Sequence, residues 1–176
     1  ACAAPGGKGA YLAEMTQNQG LLIAADQDET RLQRLRDNFE RLGVDQARTV
    51  RCNWINENSI RSAGLEKSSF NKILLDVPCT NTGVMRRRVD VRWRLQPDDF
   101  DRMPRQQLAI LEAVLPYLRP GGSLVYSTCS LEPEENDQVI AAFLRQRPEI
   151  RLTKRAETLP FRDGVDGAFA ARLEFS

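Results

Sequence analysis

The stretch "LLIAADQDETRLQRLRDNFERLG", residues 21–43, changes its period in the middle. Residues 21–25 form a continuous apolar run stopped by Asp26, the pattern of a short buried strand. From Glu29 the apolar residues return as Leu32, Leu35, Phe39 and Leu42, one face of a helix, and Gly43 stops it. The same strand-then-helix order recurs downstream. "RTVRC" (48–52) leads to Asn53, "KILLD" (72–76) ends on Asp76, and "SLVYST" (123–128) leads to Cys129. Helices fit "PRQQLAILEAVLPYL", with Leu108, Leu111, Leu115 and Leu118 on one face, and "EENDQVIAAFLRQR", with Val139, Ile140, Phe143 and Leu144 buried. "IRLTK" and "AFAARLEF" read as closing strands. Alternating strands and helices specify an α/β fold with a mostly parallel, doubly wound sheet. Such sheets bind ligands beyond the carboxyl ends of their strands. Asp26, Asn53, Asp76 and Cys129 all fall there, so one shared crevice is expected.

Composition narrows the chemistry. The chain has 176 residues, 41% of them hydrophobic, enough for one domain spanning 1–176. Acids and bases nearly cancel at +1, which argues against a polybasic tail but not against a local basic patch. Histidine is absent, so no His-based triad or His-ligated zinc site is possible. The cysteines, at 2, 52, 79 and 129, form no C-x-x-C pair, so no metal site and no disulfide framework are expected. With no apolar run of membrane-spanning length and no signal peptide, a reducing cytoplasm is the simplest setting.

The opening "ACAAPGGKGAYLAEM" (1–15) puts tight backbone next to a lysine and a helix. A Walker loop fails, because Cys2 and Gly9 stand where glycine and Ser/Thr are needed. The dinucleotide spacing fails too, because Gly6 and Gly7 are adjacent. A plain turn before a helix is one reading. The other is a cofactor loop following a first strand, which is expected upstream of Ala1. Asp26 ends the next strand, where a carboxylate accepts ribose hydroxyls. Its competing role, helix N-cap, suits Asp28 better. With a ribose carboxylate and no diphosphate motif, S-adenosylmethionine fits better than a dinucleotide.

"LLDVPCTNTGVMRRRVDVRW" (74–93) and "VYSTCSLEPEEN" (125–136) each place a cysteine just past a strand end. Cys2 and Cys52 read equally well as small buried hydrophobes. Cys129 precedes a helix expected to start near Glu132, where a thiolate is favoured. A thiolate beside a sulfonium methyl donor points to pyrimidine C5 methylation. C5 is too poor a nucleophile alone, and thiol addition at C6 makes it enamine-like.

At "CAAPGGK", "DVPCTNTGV", "RW" and "YSTCSLEPEEN" the sequence resembles the Sun/Nop family of RNA cytosine-5 methyltransferases, most of all its bacterial Sun-type members acting on small-subunit ribosomal RNA. The resemblance runs over nearly the whole chain, to "DGAFAARL". It implies a Rossmann-like class I methyltransferase fold and a role for each matching residue. Cys2, Ala3, Ala4, Pro5, Gly6, Gly7 and Lys8 match the S-adenosylmethionine loop. Asp26 matches the ribose carboxylate and Arg31 a cofactor-side arginine. Asp76 matches an acid beside the methionine moiety and target base. Cys129 matches the nucleophile and Cys79 the thiol that assists product release. Three departures stand out. Asn53 replaces an aspartate near the adenine, Gly9 a threonine, and Thr80-Asn81 a serine and a small residue. None is expected to touch the two cysteines, so they bear on cofactor affinity rather than on reaction type.

"MRRRVDVRWRL" carries Arg86, Arg87, Arg88, Arg92 and Arg94 around Trp93. Charge runs are usually solvated faces. Beside a base pocket, these arginines would neutralise RNA phosphates and the aromatic would pack or stack. The cytosine must be unstacked to meet a thiol, so single-stranded or flipped RNA is the expected partner. No obligate protein partner is evident. The alternatives are a non-catalytic RNA-binding domain of the same fold, or a methyltransferase acting on tRNA, DNA or free nucleotides. Family resemblance also implies an N-terminal RNA-binding part, which these residues do not contain.

Overall fold

A computed structural model describes all residues, 1–176, as two compact units, Ala1–Leu65 and Glu66–Ser176. The first unit runs α1 (Gly7–Met15), β1 (Leu22–Asp26), α2 (Glu29–Arg41), β2 (Ala47–Arg51) and α3 (Glu57–Ser62). β1 and β2 pair in parallel, with Asp26 opposite Arg51 at their carboxyl ends. The helix between them is the crossover a parallel pair requires. Asp28 caps α2 by accepting from the Arg31 amide at 2.9 Å. Leu32, Leu35 and Phe39 bury the inner face of α2 as its spacing specifies, whereas Leu42 falls at the C-cap and is exposed. Leu35 and Phe39 pack with Ala4 and Ala24. Complete burial of a leucine such as Leu35 contributes about 1.5–3 kcal/mol.

The second unit runs β3 (Phe70–Asp76), α4 (Val91–Arg94), α5 (Asp99–Val114), β4 (Leu118–Thr128), α6 (Asp137–Gln146), β5 (Ile150–Thr158), α7 (Pro160–Asp163) and β6 (Ala168–Phe175). The sheet order is β3-β4-β6-β5. β3 and β4 are parallel, and Asp76 sits opposite Ser127. β6 is antiparallel to both of its neighbours. Parallel pairing therefore stops at β4. The link from β5 to β6 holds only one short helix, too little for a crossover, so these strands return as an antiparallel pair.

Two helix expectations shift. α5 ends at Val114, and its buried face is Gln107, Ile110, Leu111 and Val114; Leu115 and Leu118 lie beyond it. α6 begins at Asp137 rather than near Glu132, leaving a turn at 132–136. Val139, Ile140 and Phe143 are its buried residues, and Leu144 is only half-buried. Arg155 of β5 clamps the start of α6 through both oxygens of Asp137, and this pairing holds the Asp137 carboxyl below its usual range. No helix is long and apolar enough to cross a membrane.

Candidate active site

In the first unit the chain turns at Gly6, whose φ of 105° suits glycine, and enters α1. The loop is tied to β1 by two backbone donors. The Ala3 amide reaches the Ala25 carbonyl at 2.9 Å, and the Ala4 amide reaches Asp26 Oδ2 at 3.0 Å. Asp26 is only 2% exposed, and its Oδ1 accepts from the Asp28 amide at 3.2 Å. Arg31 donates to the Ala4 carbonyl and lies 3.9 Å from Asp26. Asp26 and Arg31 thus shape the loop itself, a role their motif match does not disclose. Pro5 and Lys8 are exposed, Cys2 is half-buried, and Asn38 donates to the Pro5 carbonyl. Gly9 has a packing reason. A Cβ there would come within 2.9 Å of the Phe39 ring, so the residue that departs from the family pattern lets α1 approach α2.

Asn53 follows β2. Its Oδ1 accepts from the Ile55 amide at 3.1 Å, closing an Asx turn, and its own amide donates to Ser59 Oγ. Asn53, Gln27, Asp28, Arg51, Asn56 and Ser59 help to line an open polar cavity of about 960 Å³. Buried Cys52 behaves as the small hydrophobe its position allows, and burial pushes its thiol up to about 11.

Because an amide cannot accept at both ends, Asp26→Asn must set an N–H against either the Ala4 or the Asp28 amide. A buried donor left unpaired costs about 1–3 kcal/mol. Denaturant unfolding of the variant should show a loss of that size. Unchanged stability would mean that Asp26 does not hold the loop.

In the second unit Asp76 ends β3 and accepts from Ser127 Oγ at 3.0 Å. Three residues later stands Cys79, buried, and past β4 stands Cys129, half-buried. Their sulfurs are 3.2 Å apart. Asn81, in the left-handed region at φ 64°, lies across the pair. Its Nδ2 donates to the Cys79 carbonyl at 2.7 Å, which turns its Oδ1 towards Cys129 Sγ at 3.1 Å. With the Cys129 proton directed at Asn81 Oδ1, the S–H left to bridge the two sulfurs is that of Cys79. The Cys79 thiol is pushed far up by its hydrogen bond with Cys129, then by burial and by the electrostatic influence of Cys129. Cys79 is the sulfur that keeps its proton.

Thr80 and Asn81 were expected to stay clear of the cysteines; instead they organise them. Asn81 touches both, and Thr80 donates to the buried carboxylate of Glu135 through its amide and its hydroxyl. Cys129 does not sit at the helix N-terminus expected near Glu132, because α6 starts eight residues after it. The turn that intervenes carries Glu135 instead, and nothing in the sequence pattern singles that residue out.

The basic segment is partly engaged. Arg86 and Arg87 both pair with Asp166, at 3.2 and 2.8 Å. Arg88 and Arg92 are exposed, and Trp93 is 86% exposed. No group of three or more His, Cys, Asp or Glu is arranged to hold a metal ion.

A family model described as "16S rRNA methyltransferase RsmB/F" matches residues 1–174. The chain belongs to that family. A curated relative, ribosomal RNA small subunit methyltransferase B of Yersinia pseudotuberculosis, is 40% identical over 179 aligned positions, covering 98% of this chain and 40% of the relative. The chain thus spans about two fifths of the length of the curated relatives it matches. Among solved structures, NSun6 from Pyrococcus horikoshii with SFG superposes with a TM-score of 0.85 at 31% identity, over 98% of this chain and 46% of that one. A methyltransferase homologue from the same organism superposes at 0.80 and 33%, over 99% and 59%. The α/β fold expected from the strand–helix alternation, and the Rossmann-like methyltransferase fold that the resemblance implies, is the fold of these structural relatives.

Proposed function

We propose that this chain is the catalytic part of an enzyme that methylates C5 of a cytosine in RNA, with small-subunit ribosomal RNA as substrate. The observation that carries the reading is the pair of thiols, Cys79 and Cys129, 3.2 Å apart on loops with "PC" and "TCS" contexts. A domain that only bound RNA would have no use for two sulfurs in that arrangement. S-adenosylmethionine, when bound, supplies an electrophilic methyl group. The first unit fits it: a loop with its backbone fixed by Asp26 and Arg31, and a polar cavity reached by Asn53 and Gln27. Cys2 to Lys8, Asp26, Arg31, Asn53 and Asp76 are the proposed cofactor residues. SFG, found with the NSun6 relative, is an analogue of the same cofactor.

In the proposed cycle Cys129 releases its proton to water, its thiolate bonds to C6, and the C5–C6 π pair moves to C5. C5 then takes the methyl group. Water takes the C5 proton, and the C–H pair restores the double bond as the S–C6 bond breaks and the sulfur leaves with its pair. Cys79, holding its proton towards Cys129, stabilises that departing sulfur. Soluble cytoplasmic action without an obligate protein partner completes the proposal. The test is transfer of labelled methyl from S-adenosylmethionine to small-subunit RNA lacking the modification, by the full-length protein, with mapping of the labelled base. Label at a position other than cytosine C5 would refute the reading.

Arg86, Arg87, Arg88, Arg92 and Trp93 are the proposed RNA contacts. Alanine at Arg86, Arg87 and Arg88 removes three positive charges from the surface and leaves Asp166 without its two arginine partners. The slope of log affinity against log salt for a single strand should then flatten by up to about 2.1. An unaltered slope would return these arginines to a solvated face.

A further inference from the structure

Glu135 is 0% exposed, yet no step of the cycle uses it. Its carboxylate meets donors from three separate segments. Oε1 accepts from Thr80 Oγ1 and from Ser130 Oγ, the latter at 2.6 Å. Oε2 accepts from the Thr80 amide at 3.0 Å and from Gln107 Nε2 at 2.7 Å. Thr80 directly follows Cys79, and Ser130 directly follows Cys129. Gln107, also 0% exposed, comes from α5 and reaches the Pro78 carbonyl with the same Nε2 at 2.9 Å. The Tyr126 hydroxyl locks the far side, donating to Gln107 Oε1 at 3.1 Å and to the Glu135 carbonyl at 2.6 Å. Burial, and after it the Glu135 charge and Cys79, push the Tyr126 phenol well above its ordinary value, so it stays a donor.

We infer that Glu135 is the positioning residue that sets the separation of the two thiols. A buried carboxylate is costly unless every lone pair is met, and here four donors meet it. All four donors belong to the residues next to the cysteines, Thr80 and Ser130, or to Gln107 of α5. Moving either loop would strand part of a buried charge. The network therefore resists the loops drifting apart, and a sulfur 1 Å out of place costs reaction rate steeply. The two oxygens differ in what they demand. Oε2 faces N–H groups, which can only donate. Oε1 faces hydroxyls, which can turn and accept. Glu135→Gln can keep oxygen at the first position and place its NH₂ at the second, with Thr80 passing its proton on to Ser130, 3.1 Å away, and Ser130 to Thr82, 3.2 Å away. Glu135→Ala can do neither.

This inference depends on the proposed roles of the thiols for its consequence but not for its test. The readout is the rate at which diamide converts Cys79 and Cys129 of the full-length protein to a disulfide, mapped by peptide mass. Diamide takes up the two electrons and two protons, and no RNA is needed. Glu135→Ala is expected to slow cross-linking by roughly tenfold or more, and Glu135→Gln to stay within about threefold of the parent. Folded Glu135→Ala cross-linking at the parental rate overturns the inference. So does Glu135→Gln that falls as far as alanine, since that would make charge, not hydrogen bonding, the agent. If Glu135→Ala does not fold, Thr80→Val and Ser130→Ala each remove one donor to Oε1. Both should slow the cross-link, and parental rates in both would overturn it. Failure of methyl transfer would leave these rates untouched, so the two proposals fail separately.

Discussion

With Cys79 replaced by alanine, a protein–RNA adduct that survives denaturing gels should accumulate; with Cys129 replaced, none should form. The asymmetry follows from the resting hydrogen bonds. Cys129 is the half-buried sulfur, reached by Asn81 Oδ1 at 3.1 Å, and Cys79 is the buried one whose proton points at it. In the proposed cycle, attack on C6 needs only Cys129. Removing that nucleophile should lower turnover on the order of 10⁴-fold or more. Elimination returns a negative charge to the same sulfur, and a hydrogen bond to a charged group contributes about 1.5–3 kcal/mol. Without Cys79 the adduct should break down roughly 10- to 150-fold more slowly, long enough to be trapped. The measurement is a denaturing gel of the full-length variants incubated with cofactor and RNA. An adduct in Cys129→Ala and none in Cys79→Ala would exchange the two roles while leaving the reaction class in place.

Several elements of the fold were legible because each is set by local pattern. β1 through α2 follows from the switch of apolar period at Asp26, and the Asp28 cap from residue type alone. The two loops were legible as motif contexts. What remained hidden is long-range. Thr80 and Glu135 are distant in sequence, and a buried carboxylate reads in a string of letters like the exposed Glu134 beside it. Asn81 looked like a neutral replacement because its contact with Cys129 exists only once the two loops meet. The boundary of α6 slipped for a local reason: "EENDQ" has helix-compatible residues, but Glu135 and Asn136 spend their side chains on Thr80, Thr128 and Ser130, holding the turn open until Asp137. The antiparallel ending was obscured because a strand's letters do not state its direction. Asp166 likewise changes how the arginine run counts, since a carboxylate far down the chain meets two of its members.

Gly83→Ala should be among the most damaging single-methyl additions in this chain. Gly83 is buried in a tight turn between the Cys79 loop and the arginine run. Its amide donates to the Cys129 carbonyl at 3.0 Å, and its carbonyl accepts from the Gly167 amide at 2.8 Å. A Cβ built there would lie 2.5 Å from the Gly167 oxygen, 2.8 Å from its carbonyl carbon and 2.9 Å from the Cys129 oxygen. All three are backbone atoms, so no side chain can swing aside. The two segments would have to part, giving up one or both hydrogen bonds at about 1 kcal/mol each, with an overpacking cost of about 1–3 kcal/mol. A loss of roughly 2–4 kcal/mol by denaturant unfolding is therefore expected. Gly7→Ala is the control, since nothing lies within 4 Å of a Cβ at that position and its φ is not positive; its stability should change by less than about 1 kcal/mol. The damage at Gly83 should also be directional. The segment pushed away from Gly83 on one side is Cys129 itself, so any folded fraction should show the Cys79–Cys129 disulfide forming more slowly under diamide. Gly83→Ala with parental stability and parental cross-linking would show that the turn and the Cys129 loop are not in backbone contact.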